Sequence, residues 1–149
     1  MLEERIYKDY VEALKSRDKQ KADFLSFIRA QIKNRAISLK KEKLDDREVI
    51  GVLDKQRKQL EEARESVSSS GRQDLVNNIE KELAIVKGYL PEPLSEEEIL
   101  RVVDDVISQL NVTSIKEMGR VMKEVISRTS FRADARKISE IVRRRLTST

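Results

Sequence analysis

Residues 89–98 read Tyr89-Leu90-Pro91-Glu92-Pro93-Leu94-Ser95-Glu96-Glu97-Glu98 and hold both prolines of the chain. Two prolines two residues apart forbid a continuous helix and favour a stiff, extended connection. Immediately after them, Ser95 with Glu98 three residues on has the form of a capping box. Leu94 and Ile99 occupy the two positions of a hydrophobic staple. A helix therefore starts at this point, and the segment before it is a joint. The stretch divides the chain into an N-terminal part, 1–90, and a C-terminal part, 91–149.

Upstream of the joint the apolar residues recur at helical spacing. Leu2, Ile6, Tyr10 and Leu14 are four apart and predict a first helix, interrupted at Ser16-Arg17-Asp18. Leu25, Ile28, Ile32, Ala36 and Leu39, flanked by Phe24 and Phe27, predict a second. Asp45 is placed to cap a third, with Asp46 and Glu48 at its positive end. Its stripe is heptad-like: Val49, Leu53, Gln56, Leu60, Ala63 and Val67, polar at Gln56. Asp54 lies one turn before Lys58, the favoured order for a helical ion pair. Ser68-Ser69-Ser70-Gly71 ends that helix, and Leu75, Ile79, Leu83 and Val86 predict a fourth, ending near Gly88.

Downstream, Ile99, Val102, Val103, Val106, Ile107 and Leu110 predict a fifth helix. Ser114 and Glu117 have the spacing of a second capping box, opening a sixth helix with Met118, Val121, Met122 and Val125. Thr129–Arg132 reads as a loop, and Ala135, Ile138, Ile141, Val142 and Leu146 predict a seventh helix. The Met118/Met122 pair reads as core, with Gly119 between them permitting a close helix approach. The expected fold is all-α: a four-helix N-terminal unit over 1–90, then a small three-helix domain over 91–149.

Composition agrees with helices and narrows the chemistry. The 149 residues are 39% charged and only 4% aromatic, and the formal net charge is +4. There is no Cys, hence no disulfide, thiolate nucleophile or zinc–thiolate site. There is no His, the usual near-neutral acid–base group and commonest metal ligand. None of the four glycines builds a phosphate-cradling loop. No cofactor and no metal are expected. No apolar run is long enough to span a membrane and the N-terminus lacks a signal region, so a soluble, cytoplasmic protein is expected. Catalytic residues are set at none, because no spacing assembles carboxylates, Lys, Ser or Tyr into a constellation.

The joint sequence at 89–98, followed by Met118-Gly119-Arg120-Val121-Met122, resembles the GatB/YqeY family. The whole chain is similar to its stand-alone YqeY-like members, including the Arg29…Leu39-Lys40 helix and Asp74-Leu75 before the fourth helix. In that family the module forms the C-terminal tail of the B subunit of tRNA-dependent amidotransferase. The resemblance implies a tRNA-linked role, with tRNA or an amidotransferase complex as partner. It also implies association with a carbon–nitrogen ligase that uses glutamine as amido-N-donor, while catalysis sits in other domains. The family's last loop usually carries Gly-Lys/Arg-Ala-Asp-Gly; here it is Phe131-Arg132-Ala133-Asp134-Ala135. With both glycines replaced, positive φ at 131 or 135 is not expected.

Charge is unevenly spread beyond the joint. Residues 91–117 hold seven acids and two bases, and residues 118–149 hold nine bases and three acids, net −5 and +6. The basic end reads either as a phosphate-binding surface or as ordinary surface charge, with Arg143 to Arg145 favourably placed at a helix C-terminus. Arg120, Lys123, Arg128, Arg132, Arg136 and Lys137 are the candidate nucleic-acid contacts, and their spacing suggests one strip. Arg29, Lys33 and Lys40 form a second basic series. Phe131 either fills the small core or stacks on an unpaired base beside Arg132. Glu96–Glu98 complement the helix dipole, since adjacent helical side chains diverge by ~100° and cannot converge on one ion. Asp104-Asp105 reads as a solvated face. The alternative to RNA binding is a helical protein-interaction adaptor docking through the third helix.

Overall fold

The computed structural model describes residues 1–147. It is all-α: seven α-helices and one 3-10 turn, with no strand among the described residues. The helices are α1 (Leu2–Lys15), α2 (Lys19–Ser38), α3 (Asp46–Ser68), α4 (Gln73–Tyr89), α5 (Glu96–Leu110), α6 (Met118–Thr129) and α7 (Ala135–Thr147). Internal packing divides the chain into two compact units, Met1–Leu90 and Pro91–Thr149.

In the first unit α1 packs along α2 and α3 along α4. Its core is Ile6, Leu25, Ile28, Ile32, Val49, Leu53 and Val86, all 1% exposed or less. The turns are built by polar caps. Asp18 Oδ1 accepts from the Lys21 N–H at 3.2 Å and starts α2. At α3 the capping box is complete: Asp45 Oδ1 accepts from the Glu48 N–H at 2.8 Å, and Glu48 Oε1 accepts from the Asp45 N–H at 3.0 Å. Lys41 reaches the same carboxylate at 2.8 Å. That bond first, and the Asp45 amide second, hold Glu48 below the usual carboxylate range.

Three details of the first unit depart from the sequence expectation. Leu14 is 53% exposed, and Ala13 is buried in its place. Ile6 and Ala13, seven apart, set the buried face of α1, and Leu14 lies ~100° further round the helix. Leu75, in the first turn of α4, is also exposed. Lys40 lies beyond the end of α2 in a left-handed conformation, φ 57°, so it does not continue the helical series of Arg29 and Lys33.

The second unit packs Ile99, Val103, Val106, Val121, Val125, Ile138, Ile141 and Val142 into one core, with Leu94, Met118 and Met122 partly buried against it. The staple pair, Leu94 and Ile99, thus joins this core. Ser95 Oγ accepts from the Glu98 N–H at 3.2 Å, as its spacing predicts. α5 ends at Asn111, which is left-handed (φ 53°), and the Val112 N–H closes onto the Ile107 carbonyl at 3.1 Å. This turn buries Val112, a core residue outside the predicted helical stripe.

The second predicted capping box is not formed as such. Ser114 Oγ accepts from the Lys116 N–H at 3.2 Å and opens a 3-10 turn, Ile115–Glu117, ahead of α6. Glu117 instead pairs with Arg120 at 3.1 Å. Gly119 is exposed, and a Cβ there would meet nothing within 4 Å, so no close helix crossing requires it.

The loop before α7 departs furthest from expectation. Ser130 and Phe131 both take positive φ, 42° and 67°, although neither is glycine. Phe131 therefore takes the left-handed conformation that its side chain disfavours. Phe131 is 45% exposed and is not part of the three-helix core. Arg132 clasps this loop to the proline segment: its Nε donates to the Glu92 carbonyl at 2.8 Å, and its own carbonyl accepts from the Leu94 N–H at 2.8 Å.

Candidate nucleic-acid interface

The basic end of the second unit is carried by α6, the 130–134 loop and α7. On α6, Met118, Val121, Met122 and Val125 face the core. Successive helical residues turn by ~100°, so Arg120 and Lys123 lie about 60° apart on the opposite face. Both are exposed. Arg128 is turned roughly 140° from Lys123 by the same geometry. It pairs with Glu124 at 3.0 Å and donates to Gln109 on α5.

On α7, Ile138, Ile141, Val142 and Leu146 are buried. Arg136 and Lys137 project from the first turn and are exposed. Arg143, seven residues after Arg136, lies within about 20° of it on the same outer face. That seven-residue spacing is the signal by which the sequence alone could have grouped it with the other candidates. Glu140 lies between them and moderates the local potential. Arg144 and Arg145 turn toward α5, where they pair with Glu96 at 3.3 Å and Asp104 at 2.7 Å. Asp104 is thus an ion-pair partner rather than part of a free solvated face.

The six predicted contacts therefore occupy different environments. Arg120 and Lys123 share a face of α6, and Arg136 and Lys137 share a turn of α7. Arg128 faces α5, and Arg132 is the clasp on the 92–94 backbone. Lys123, Arg136 and Lys137 make no ion pair among the described residues. Phe131, the residue before Arg132, is 45% exposed. Among the described residues there is no group of three acids that could hold a metal ion, and no helix long and apolar enough to cross a membrane.

In the first unit, Arg29 of the predicted second basic series stacks over the rings of Tyr7 and Tyr10, 4.5 and 5.3 Å from their centres. Its charge is shared with two aromatic faces. The helical spacing of Asp54 predicts a pair with Lys58, which it makes at 3.3 Å. Asp54 is also 5% exposed and holds Arg57 through two bonds, 2.9 and 3.1 Å. Tyr89, the first residue of the joint sequence, is buried; its hydroxyl donates to Asp9 Oδ2, and Arg5 covers its ring at 5.0 Å. Burial first, and the bond to Asp9 second, push the Tyr89 phenol well above its ordinary range.

A family model described as Yqey-like protein matches residues 3–146. No curated protein matches the chain.

Proposed function

The chain belongs to the YqeY-like family, and from that premise we propose that it is a non-catalytic, tRNA-associated helical module, related to the tail of tRNA-dependent amidotransferase. That enzyme is a carbon–nitrogen ligase with glutamine as amido-N-donor; this chain serves as an RNA-holding part, not as the ligase. The supporting observation is the net +6 of residues 118–149, where Lys123, Arg136 and Lys137 are exposed without an intramolecular ion pair among the described residues. Phosphates are the dominant partners of such groups on nucleic acid. Arg120 is available by exchanging Glu117 for a phosphate. Phe131 supplies a stacking face for an unpaired base. The same reading treats 1–90 and 91–149 as separate domains joined at the prolines, so limited proteolysis cuts first near 88–95.

The test is a tRNA titration of the whole chain across salt concentrations. Neutralising about three phosphates makes affinity fall more than tenfold between ~50 and ~200 mM salt. A Lys123→Ala/Arg136→Ala/Lys137→Ala variant keeps its fold, since exposed charges contribute little to stability, and its salt slope flattens by roughly two to three units. Absence of binding at low salt, or identical slopes, overturns the reading in favour of a protein adaptor. Glutamine-dependent amidation of Glu-tRNA(Gln) by the isolated chain overturns its non-catalytic part.

A further inference from the structure

The first unit holds a cleft of about 780 Å³ lined by residues of α2, α3 and α4. α2 contributes Lys19, Asp23 and Phe27, α3 contributes Gln56 beside Gln59, and α4 contributes Glu82. Gln56 sits in the apolar stripe of α3 and is 7% exposed, yet its amide makes no hydrogen bond among the described residues. An amide has two donors and an acceptor, and at this nearly buried position they keep only a small opening to solvent, with no protein partner. Gln56 lines the cleft, so the cleft is where its partner would sit. Native cores usually fill such a stripe position with Leu or Val, which makes an amide there informative.

The rest of the lining indicates the partner's chemistry. Asp23 and Glu82 outnumber the single cation Lys19, so a phosphate-bearing ligand is disfavoured and a cation favoured. Phe27 is 47% exposed in this wall, although it is large and apolar. A guanidinium is planar, carries five donors, stacks on aromatic faces and pairs with carboxylates. Burial raises the Glu82 carboxyl above the usual range, the environment that a bound cation would relieve. A peptide group supplies one donor and one acceptor, matching the Gln56 amide.

We propose that the α2–α3–α4 cleft binds an arginine-bearing segment of a partner polypeptide, the guanidinium against Phe27, Asp23 and Glu82 and the Gln56 amide paired with the peptide backbone. The proposal is independent of the RNA reading, which concerns the other unit. Its test is NMR titration of the full-length, nitrogen-15-labelled chain with N-acetyl-arginine N-methylamide. The side-chain NH₂ signals of Gln56 and Gln59 shift and saturate at millimolar probe. Glu82→Gln weakens the affinity about tenfold, the loss of one charge-assisted bond. Asp23→Asn, at an exposed position, weakens it in the same direction without risk to the fold. N-acetyl-glycine N-methylamide, which lacks the guanidinium, produces no saturating shift. Three outcomes overturn the proposal: no saturation up to about 50 mM probe, equal binding of the glycine compound, or tighter binding of AMP at the same signals, which would assign the cleft to a nucleobase.

Discussion

Replacing Phe131 separates what its ring does from what its backbone does. The residue stands at φ 67° with the ring 45% exposed. Phe131→Ala and Phe131→Gly both remove the ring, so their difference isolates the backbone. An alanine held in the left-handed region costs about 1–2 kcal/mol, because its Cβ crowds the following carbonyl. Glycine avoids that clash but loses roughly 0.5–1 kcal/mol more in chain freedom on folding. The Phe131→Gly variant is therefore expected to be more stable than the Phe131→Ala variant by about 0.5–1 kcal/mol. Ser127, exposed within α6, is the control. There the order reverses, and alanine is favoured over glycine by about 1 kcal/mol. The two pairs differ by roughly 1.5–2 kcal/mol in all, well above the error of urea denaturation. The assay is urea unfolding followed by NMR intensities of α5–α7 amides, which report the second unit specifically. Equal stability of the two variants at 131, or an advantage for alanine, would refute a left-handed backbone there and with it the loop path that presents the ring.

Tyr89→Phe keeps the ring under Arg5 but removes the hydroxyl from Asp9, and is expected to lower stability by about 1–2 kcal/mol, read as a shift in urea midpoint. An unchanged midpoint would mean that water replaces the bond without loss. Asp54→Asn leaves Arg57 only Glu61 as an acidic partner and is expected to cost about 1–3 kcal/mol, less than a fully buried pair because Arg57 is partly exposed. The measurement is again the urea midpoint, and no change would mean that the pair contributes nothing net. Glu82 has its folded carboxyl raised by burial, so the folded state binds the proton more tightly and stability falls as pH rises through the window above the unfolded value. Glu82→Gln should raise the melting temperature at neutral pH, and the gain should vanish below about pH 4, where the unfolded carboxyl is also protonated. A gain that persists in acid would assign the effect to packing instead.

The helices were legible because their determinants are local. Asp45 and Ser95 are recognisable as caps from their own side chains, and Ile99, Val103 and Val106 announce a buried face through spacing alone. The proline segment is equally readable, because the ring of Pro91 or Pro93 restricts the backbone whatever surrounds it. Absence of His and Cys likewise narrows the chemistry without reference to any fold.

Other features depend on which groups meet. Leu14 fits the predicted stripe, but packing selected Ala13, because the buried face of α1 is set by its neighbours. Ser114 and Glu117 have the spacing of a capping box, yet a 3-10 turn sends Glu117 to Arg120. Phe131 argues against positive φ by its own preference. The left-handed path nevertheless accompanies the bonds from Arg132 to Glu92 and Leu94, partners about forty residues away in the chain. The basic residues were countable, but their pairing was not: Arg128 faces Gln109, Arg145 reaches Asp104, and Lys123, Arg136 and Lys137 keep their charges toward solvent. Gln56 shows the same division. Spacing marks it as a polar interruption of an apolar stripe; only the approach of α2 and α4 places that residue, 7% exposed, in the wall of a cleft. Caps, periodicity and proline stiffness act within a few bonds of the residue that causes them, whereas burial, ion pairing and clefts belong to side chains that the folded chain brings together.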